Sequence, residues 1–347
     1  MPPSITAREP RPDRDRLVRE LVPPPRFDTE RFSTYRPDPA QPSQGAAVQR
    51  LEAYAAGLAA RVDDARGAGG RWWRRGSGKP QPSRGVYLDG GFGVGKTHLL
   101  ASLWHAAPGP KAFGTFVEFT NLVGALGFAQ TVEVLQGHRL VCIDEFELDD
   151  PGDTVLMATL LTRLAESGVA LAATSNTLPD ALGEGRFAAE DFLREIQALS
   201  ARFDVLTVDG EDYRHRGSVQ SPAPLSDGEV LERVEASGGV CDHFVDVTRH
   251  LAQVHPSRYR ALLDGVGAVG WQKVRPVSDQ MVALRLVVLA DRLYDADIPV
   301  FASGHPLGEL FTPELLRGGY RKKYFRALSR LTALAREGSG EVAHGQG

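Results

Sequence analysis

Cysteine is scarce in this sequence of 347 residues, where Cys142 and Cys241 are the two examples. They form no CxxC pair and no cluster with histidine, so neither a disulfide framework nor a structural zinc site is supported. A long apolar run is also lacking. The most apolar window, Met281–Ala290, is interrupted by Arg285 and is far shorter than the roughly 20 residues of a membrane-spanning helix. We therefore expect no transmembrane segment and a reducing, cytoplasmic compartment.

The sequence has no excess of basic charge either. Its 40 lysines and arginines are outnumbered by 44 acidic residues, which leaves a formal net charge of −4. Proteins that must bind nucleic acid are usually strongly basic, so nucleic acid is not the expected partner. One local basic segment, Arg71–Arg75, includes Trp72 and Trp73 and leaves open a contact in which cations touch phosphates and rings stack on bases.

Proline is concentrated at the start of the chain, where ten of the 23 prolines fall before position 43. From residue 84 onward, short apolar runs alternate with longer helical patterns, which is typical of βα units and a parallel sheet. The expected organisation is a Pro-rich flexible arm (1–34), a helical segment with the basic Trp loop (35–83), an α/β core (84–216), a linker (217–229), a helical lid domain (230–335) and a flexible tail (336–347).

Five short apolar runs in the core are predicted to be strands. They are Gly85–Asp89, Phe113–Phe119, Arg139–Ile143, Val169–Ala173 and Asp204–Val208. Helical spacing of apolar residues predicts helices from Pro42 to about Arg66, over Thr97–Ala107 and over Thr154–Ser167.

A glycine-rich segment follows the first predicted strand and fits the pattern G-x-x-x-x-G-K-[ST]. Glycines allow such a loop to curl until successive backbone N–H groups face a phosphate, and the helix that follows adds its positive end. Lys96 is expected to reach the β- and γ-phosphates, and the Thr97 hydroxyl to ligate Mg²⁺. The predicted nucleotide-binding residues are Gly90, Gly91, Phe92, Gly93, Val94, Gly95, Lys96, Thr97 and His98.

Polar residues end two further strands. Asp144 and Glu145 follow an apolar strand in a Walker B arrangement, so Asp144 is expected at the Mg²⁺ ion and Glu145 is expected to activate the attacking water. Asn176 ends the next strand and is predicted to contact the γ-phosphate, because the carboxyl ends of parallel strands face the ligand. The sequence thus predicts an ATP- and Mg²⁺-binding P-loop NTPase with an α/β fold.

Several segments, taken in order, resemble the ZapE-like AAA+ ATPases of bacteria and their mitochondrial relatives. These segments are Tyr35–Asp38 with Gln44 and Arg50–Leu51, Gly85–Leu88, Asp144–Phe146, Ala173–Asn176 with Pro179, Phe192–Leu193 with Ile196, Asp212–Arg214 and Leu328–Leu331. The resemblance covers about 35 to 332. It implies an ATP-hydrolysing parallel-sheet core with a small C-terminal helical lid, and a role in cell division on FtsZ polymers in the cytoplasm at the division site.

The resemblance also implies roles for arginines and for the segment upstream of the core. AAA+ ATPases commonly form rings in which a neighbour supplies an arginine finger, and Arg186 is the predicted finger, with Arg194 and Arg202 as alternatives. Arg330 is the predicted second sensor of the nucleotide, with Arg326 one turn earlier as its alternative. Gln44 and Tyr35 are positioned to approach the adenine.

Two other functions stay open from the sequence. The chain could be a nucleotide-switched binding module in which turnover is incidental. It could also be a DNA-replication ATPase of the helicase-loader type, which would use the basic Trp loop.

Overall fold

The computed structural model describes residues 2–10, 14–67, 84–91, 93–146, 151–176, 201–210 and 221–339. The chain divides into two compact units. The core unit comprises Asp13–Pro23 and Phe27–Arg216, and the C-terminal unit comprises Met1–Pro12, Pro24–Arg26 and Gly217–Gly347. Within the described ranges, no helix is both long enough and apolar enough to cross a membrane.

The core unit is built on a five-stranded parallel sheet with the order β2-β3-β4-β1-β5. Its strands are β1 (Gly85–Asp89), β2 (Lys111–Thr115), β3 (Leu140–Asp144), β4 (Ala170–Ser175) and β5 (Phe203–Thr207). Its helices are α1 (Arg14–Arg19), α2 (Pro42–Gly67), α3 (Lys96–Ala106), α4 (Phe116–Leu126), α5 (Phe128–Leu135) and α6 (Pro151–Glu166).

Apolar side chains pack on both faces of this sheet. Successive strand residues point to opposite faces, so Val86 and Leu88 join one apolar cluster while Tyr87 joins the other. The first cluster includes buried residues of α2 and α3, and the second includes buried residues of α4 and α6. A strand buried on both faces reads as a continuous apolar run, which explains why these strands were predictable from the sequence.

The second predicted strand, Phe113–Phe119, is partly wrong, because the chain turns into α4 at Phe116. Thr115 is the N-cap of this helix, and its side chain accepts a hydrogen bond from the Glu118 N–H while the Glu118 side chain bonds back to the Thr115 backbone. This capping box satisfies backbone donors at the helix start and ends the strand.

The C-terminal unit is mostly helical, as the sequence predicted for the lid domain, but the prediction missed a small sheet. It contains a three-stranded parallel sheet with the order β6-β7-β8. Its strands are β6 (Val240–His243), β7 (Val269–Val274) and β8 (Val300–Gly304), and its helices are α7 (Asp227–Ala236), α8 (Phe244–Gln253), α9 (Tyr259–Leu262), α10 (Gln280–Asp295), α11 (Pro313–Arg317) and α12 (Arg321–Ser339). The strands have four to six residues each, which is too short to compete with the helical periodicity around them.

Residues 2–10 and 14–34 have defined contacts, contrary to the expectation of a flexible arm. Ile5 is only 1% exposed and packs in the apolar core of the C-terminal unit. Leu21 is buried in the core unit, and its carbonyl oxygen accepts a hydrogen bond from the Phe113 N–H at 2.9 Å. At the other end of the chain, α12 continues to Ser339, so a helix occupies the first part of the predicted tail.

Candidate nucleotide-binding site

The order of the strands brings the predicted motifs to one edge of the core sheet. All five strands are parallel, so their carboxyl ends lie at the same edge. β4 lies between β3 and β1, which places the polar end of β4 between the acidic pair at the end of β3 and the glycine-rich loop that follows β1. Ligands of open α/β sheets bind at this edge.

The loop after β1 has a backbone that requires glycine. Gly93 and Gly95 have φ angles of 76° and 88°, in the region that side chains disfavour. At Gly90, a Cβ atom would lie 2.2 Å from the Val208 carbonyl oxygen. Gly95 is also the N-cap of α3, so the first N–H groups of this helix adjoin the loop and form an anion-binding geometry. Phe92 lies outside the described residues.

Lys96 joins the glycine loop to the end of β4. Its Nζ donates to the carbonyl oxygens of Gly90 and Gly91, at 2.8 and 2.5 Å, and to Asn176 Oδ1 at 2.9 Å. The side chain is buried, with 8% of the residue exposed. Lys96 and Asn176, which the sequence predicted for the same phosphate site, are therefore in direct contact.

Thr97 and Asp144, the predicted magnesium residues, are also in contact. Thr97 Oγ1 donates to Asp144, at 3.0 Å from Oδ2 and 3.3 Å from Oδ1. A carboxylate and a hydroxyl oxygen are hard ligands of the kind that Mg²⁺ prefers, and Mg²⁺ usually keeps several waters beside one or two protein carboxylates. The donor set at this position therefore fits Mg²⁺.

Thr174, near the end of β4, holds both members of the acidic pair. Its hydroxyl donates to Asp144 Oδ1 and accepts a hydrogen bond from the Glu145 N–H at 3.1 Å. The Thr174 carbonyl oxygen accepts from the Phe146 N–H at 2.7 Å. Glu145 has a φ of 51°, which is uncommon for a residue with a side chain and is typical of backbone held under strain at functional sites.

One further carboxylate adjoins the loop. Asp89 ends β1, and burial raises the pKa of its carboxyl group above the usual value, although the Gly90 N–H and the Lys96 charge both act to lower it. The charge of Asp209 opposes ionisation as well. The sequence reading assigned no role to Asp89.

A segment upstream of β1, Glu30–Gln44, packs against the loop and the start of α3. Tyr35 Oη donates to the Val94 carbonyl oxygen at 2.9 Å, and His98 Nε2 lies 3.0 Å from Thr34 Oγ1. The His98 side chain, which the sequence predicted at the nucleotide, therefore contacts the upstream segment. Gln44 Nε2 donates to the Asp209 carbonyl oxygen at 2.7 Å.

The predicted arginines have different positions. Arg186 and Arg194 lie outside the described residues. The carbonyl oxygen of Arg202 accepts from the N–H of Gly85, the first residue of β1, so Arg202 lies at the edge of the sheet opposite the glycine loop. Arg330 lies in the C-terminal unit on α12, where its guanidinium donates to Asp291.

Sequence reasoning gave Thr174 no role and expected Tyr35 near the adenine, so it missed the contacts that these two residues make. Thr174 stands in the segment Ala173–Asn176 and was given no function. A signal was present, because a hydroxyl residue near the end of a strand that lies between two motif-bearing strands can reach both. For Tyr35 the sequence offered no comparable signal, because its contact is made across a long sequence separation.

A parallel α/β sheet with the glycine loop after β1 and the acidic pair at the end of β3 defines a P-loop NTPase core of the AAA+ type. The family model named AFG1-like ATPase matches residues 21–228 and 218–339. The chain belongs to the AFG1-like ATPase family.

Individual relatives match shorter stretches. The Cell division protein ZapE of Escherichia coli K12 is 34% identical over 182 residues, which are 49% of this chain and 47% of that protein. Lactation elevated protein 1 homolog B of Danio rerio is 26% identical over 163 residues, 40% of this chain and 32% of that protein. The chain thus spans about half the length of the bacterial relative. Among solved structures, DnaI has a TM-score of 0.41 at 16% identity, covering 55% of this chain and 93% of that chain.

Proposed function

We propose that this chain is a magnesium-dependent ATPase that couples hydrolysis to the remodelling of a protein partner. The convergence of Lys96 with Asn176 and of Thr97 with Asp144 at the carboxyl edge of the core sheet carries this proposal. These four side chains come from three separate segments of the sequence. A site that binds phosphate and a hard cation accounts for the assembly of this set beside a glycine loop, and this supports the proposal.

In this proposal each residue has a distinct task. The N–H groups of the loop and the ammonium of Lys96 bind the β- and γ-phosphates. Thr97 and Asp144 hold Mg²⁺, which when bound neutralises charge on the phosphate oxygens. Glu145 accepts a proton from the attacking water, and Asn176 contacts the γ-phosphate.

The proposed partner is a protein of the cell-division machinery, and the resemblance to ZapE-like ATPases makes FtsZ the first candidate. The printed name of the Escherichia coli relative supports a role in cell division. The formal charge of −4 agrees better with a protein partner than with nucleic acid. The proposed site of action is the cytoplasm, with recruitment to the division site. An ATP-dependent ring in which Arg186 serves a neighbouring subunit belongs to the same proposal.

The Glu145→Gln variant tests the proposed ATPase activity. We expect this variant to bind ATP with unchanged affinity and to release phosphate about a hundredfold more slowly, because general-base catalysis contributes factors of about 10² to 10⁴. Lys96→Ala is the matched variant that loses binding. Steady-state phosphate release is measured with excess Mg²⁺ and with EDTA.

A second arm of this experiment uses Glu145→Gln as an ATP-held form. If FtsZ is the partner, this form co-sediments with FtsZ polymers in ATP and does so less in ADP. Wild-type ATP turnover no faster than that of Glu145→Gln would contradict the proposed ATPase activity. The chain would then be better explained as a nucleotide-switched binding module. ATP turnover without co-sedimentation would support the ATPase activity and contradict FtsZ as the partner.

A further inference from the structure

Tyr35 makes a polar contact to the backbone of the glycine loop. Its phenolic oxygen donates to the Val94 carbonyl oxygen at 2.9 Å. Val94 immediately precedes Gly95, the N-cap of α3, and the hydrogen bond from the Leu99 N–H to the Gly95 carbonyl oxygen begins the helix. The Val94 carbonyl therefore lies before the helical ladder, and the phenol supplies a partner for it.

This contact fixes more than one atom, because the peptide that links Val94 to Gly95 is planar and trans. In a trans peptide the C=O and the N–H point in opposite directions. When Tyr35 holds the Val94 C=O toward the upstream segment, the Gly95 N–H is directed to the other side of the peptide. A phosphate loop needs its N–H groups on that inner side.

The peptide needs such a restraint, because glycines adjoin it. Gly93 and Gly95 both have positive φ angles, and glycine has access to several other backbone conformations at little cost. The Tyr35 side chain is itself held in place by packing. The Tyr35 ring lies 2.6 Å from the point where a Cβ of Gly95 would be, and it meets the His98 ring edge-on with centroids 5.3 Å apart.

The upstream segment that carries Tyr35 is anchored to the same helix. His98 Nε2 lies 3.0 Å from Thr34 Oγ1 and 3.1 Å from the Arg31 carbonyl oxygen. Burial raises the pKa of Tyr35 to about 12, so the phenol keeps its proton and remains a donor at neutral pH.

We propose that Tyr35 is a positioning residue of the phosphate loop, which holds the Val94–Gly95 peptide with its N–H facing the phosphates of the nucleotide. The inference rests on the proposed ATP-binding function. It adds to the site a residue, Tyr35, that lies outside the glycine-loop motif. It also differs from the expectation that Tyr35 approaches the adenine, because it assigns the residue to the phosphates.

Tyr35→Phe is the test variant, since it removes the hydroxyl and keeps the ring that packs on Gly95 and His98. Tyr54→Phe is the matched control, because Tyr54 Oη also donates to a backbone carbonyl oxygen, that of Leu171, at 3.3 Å. Calorimetric titration of the full chain measures the affinities for ATP, ADP, pyrophosphate and adenosine. Thermal unfolding compares the stability of the two variants.

We expect Tyr35→Phe to bind ATP, ADP and pyrophosphate about two- to tenfold more weakly than wild type, as the loss of one oriented hydrogen bond implies. Adenosine binding should not change, and Tyr54→Phe should match wild type with every ligand. Equal weakening for adenosine would place Tyr35 at the base and overturn the inference.

Three other outcomes have distinct meanings. Wild-type affinities in Tyr35→Phe would overturn the inference and leave the proposed ATPase standing. If Tyr35→Phe is unfolded while Tyr54→Phe is folded, the Tyr35 hydroxyl is required for folding. This outcome also overturns the inference. Wild-type protein that binds neither ATP nor pyrophosphate would overturn the proposed function itself.

Discussion

The hydroxyl of Thr174 links the two acidic residues of the candidate site. Regular pairing between β3 and β4 runs to Ile143 and Ala173, and the Glu145 N–H beyond it is bound by the Thr174 side chain. The same hydroxyl donates to Asp144 Oδ1, and Thr97 contacts this carboxylate through both of its oxygens. Thr174 thus orients the carboxylate and sets where the backbone of Glu145 turns.

We expect Thr174→Val to lower kcat for ATP about tenfold or more, with a much smaller change in KM. Valine has nearly the shape of threonine and removes only the polar contacts, which leaves the buried Asp144 oxygen and the Glu145 N–H without this partner. Each such loss costs about 1 to 3 kcal/mol. Steady-state kinetics at saturating Mg²⁺ measures the split between kcat and KM.

Thr174→Ser is the control for this prediction, because it restores the hydroxyl and should recover most of kcat. A Thr174→Val enzyme with wild-type kcat, or a Thr174→Ser enzyme as slow as Thr174→Val, would contradict the role of the hydroxyl.

Residues in short local motifs were predictable, whereas their supporting contacts were not. The contacts of Lys96 with Asn176 and of Thr97 with Asp144 follow from strand order once the motifs are placed after parallel strands. The bond from Tyr35 to Val94 spans 59 residues and leaves no periodic trace in the sequence. Local patterns therefore predict the chemistry of the site and omit what holds it in shape.

At the scale of elements, α10 and α12 pack together in the C-terminal unit around one carboxylate. Asp291 on α10 accepts a hydrogen bond from Arg326 at 2.8 Å and another from Arg330, both on α12. Burial acts to raise the pKa of Asp291, but the two arginines outweigh it, so this pKa lies below its usual value. The carboxylate is therefore ionised where it meets the two guanidinium groups.

We expect Asp291→Asn to destabilise the protein by about 3 to 5 kcal/mol, because removing one partner of a buried charge cluster leaves the other charges uncompensated. Asp246→Asn is the control. Its ion pair with Arg249 is exposed and should contribute about 1 kcal/mol or less. Urea unfolding measures both differences at pH 7.

The pH dependence follows from the lowered pKa of Asp291. Its stabilisation is fully present above the unfolded-chain value of 3.8 and is lost as the pH falls below that value through the folded-state pKa. The difference between wild type and Asp291→Asn should thus be constant from about pH 7 to pH 5 and shrink below about pH 4. A difference that shrinks already between pH 7 and pH 5 would contradict this assignment.

The helices of the C-terminal unit could be predicted from the sequence, and its strands could not. Apolar residues from Met281 to Leu293 recur at helical spacing, and α10 covers them. β7 has the sequence Val-Gly-Trp-Gln-Lys-Val, in which a glycine and two adjacent polar residues interrupt both the apolar run and the alternation that indicate a strand. Its identity depends on pairing with β6 and β8, which are distant in sequence.

At the scale of the whole molecule, the first residues of the chain complete the C-terminal unit. The Cys241 N–H donates to the Pro3 carbonyl oxygen at 3.0 Å, and the Ile5 N–H donates to Asp242 Oδ2 at 2.8 Å. Ile5 packs into the same apolar cluster as Val240 and Phe244. A proline-rich composition predicted an arm without fixed contacts, because composition carries no information on a partner more than 200 residues away.

We expect Ile5→Ala to destabilise the C-terminal unit by about 2 to 5 kcal/mol, the usual cost of truncating a fully buried isoleucine. Val22→Ala is the control within the same proline-rich region, because Val22 is 39% exposed and its truncation should change stability by less than about 0.5 kcal/mol. Hydrogen exchange on the full chain, read by peptide, measures where protection is lost.

The location of the lost protection decides the prediction. Every contact of Ile5 described above is with the C-terminal unit, so exchange should accelerate in Val240–His243 and Phe244–Gln253 and stay unchanged in Gly85–Asp89 and Ala170–Ser175. Acceleration by the same factor in the core sheet would mean that the two units unfold as one. No acceleration in either would mean that the first residues dock without stabilising the unit, and the buried position of Ile5 would then lack an energetic role.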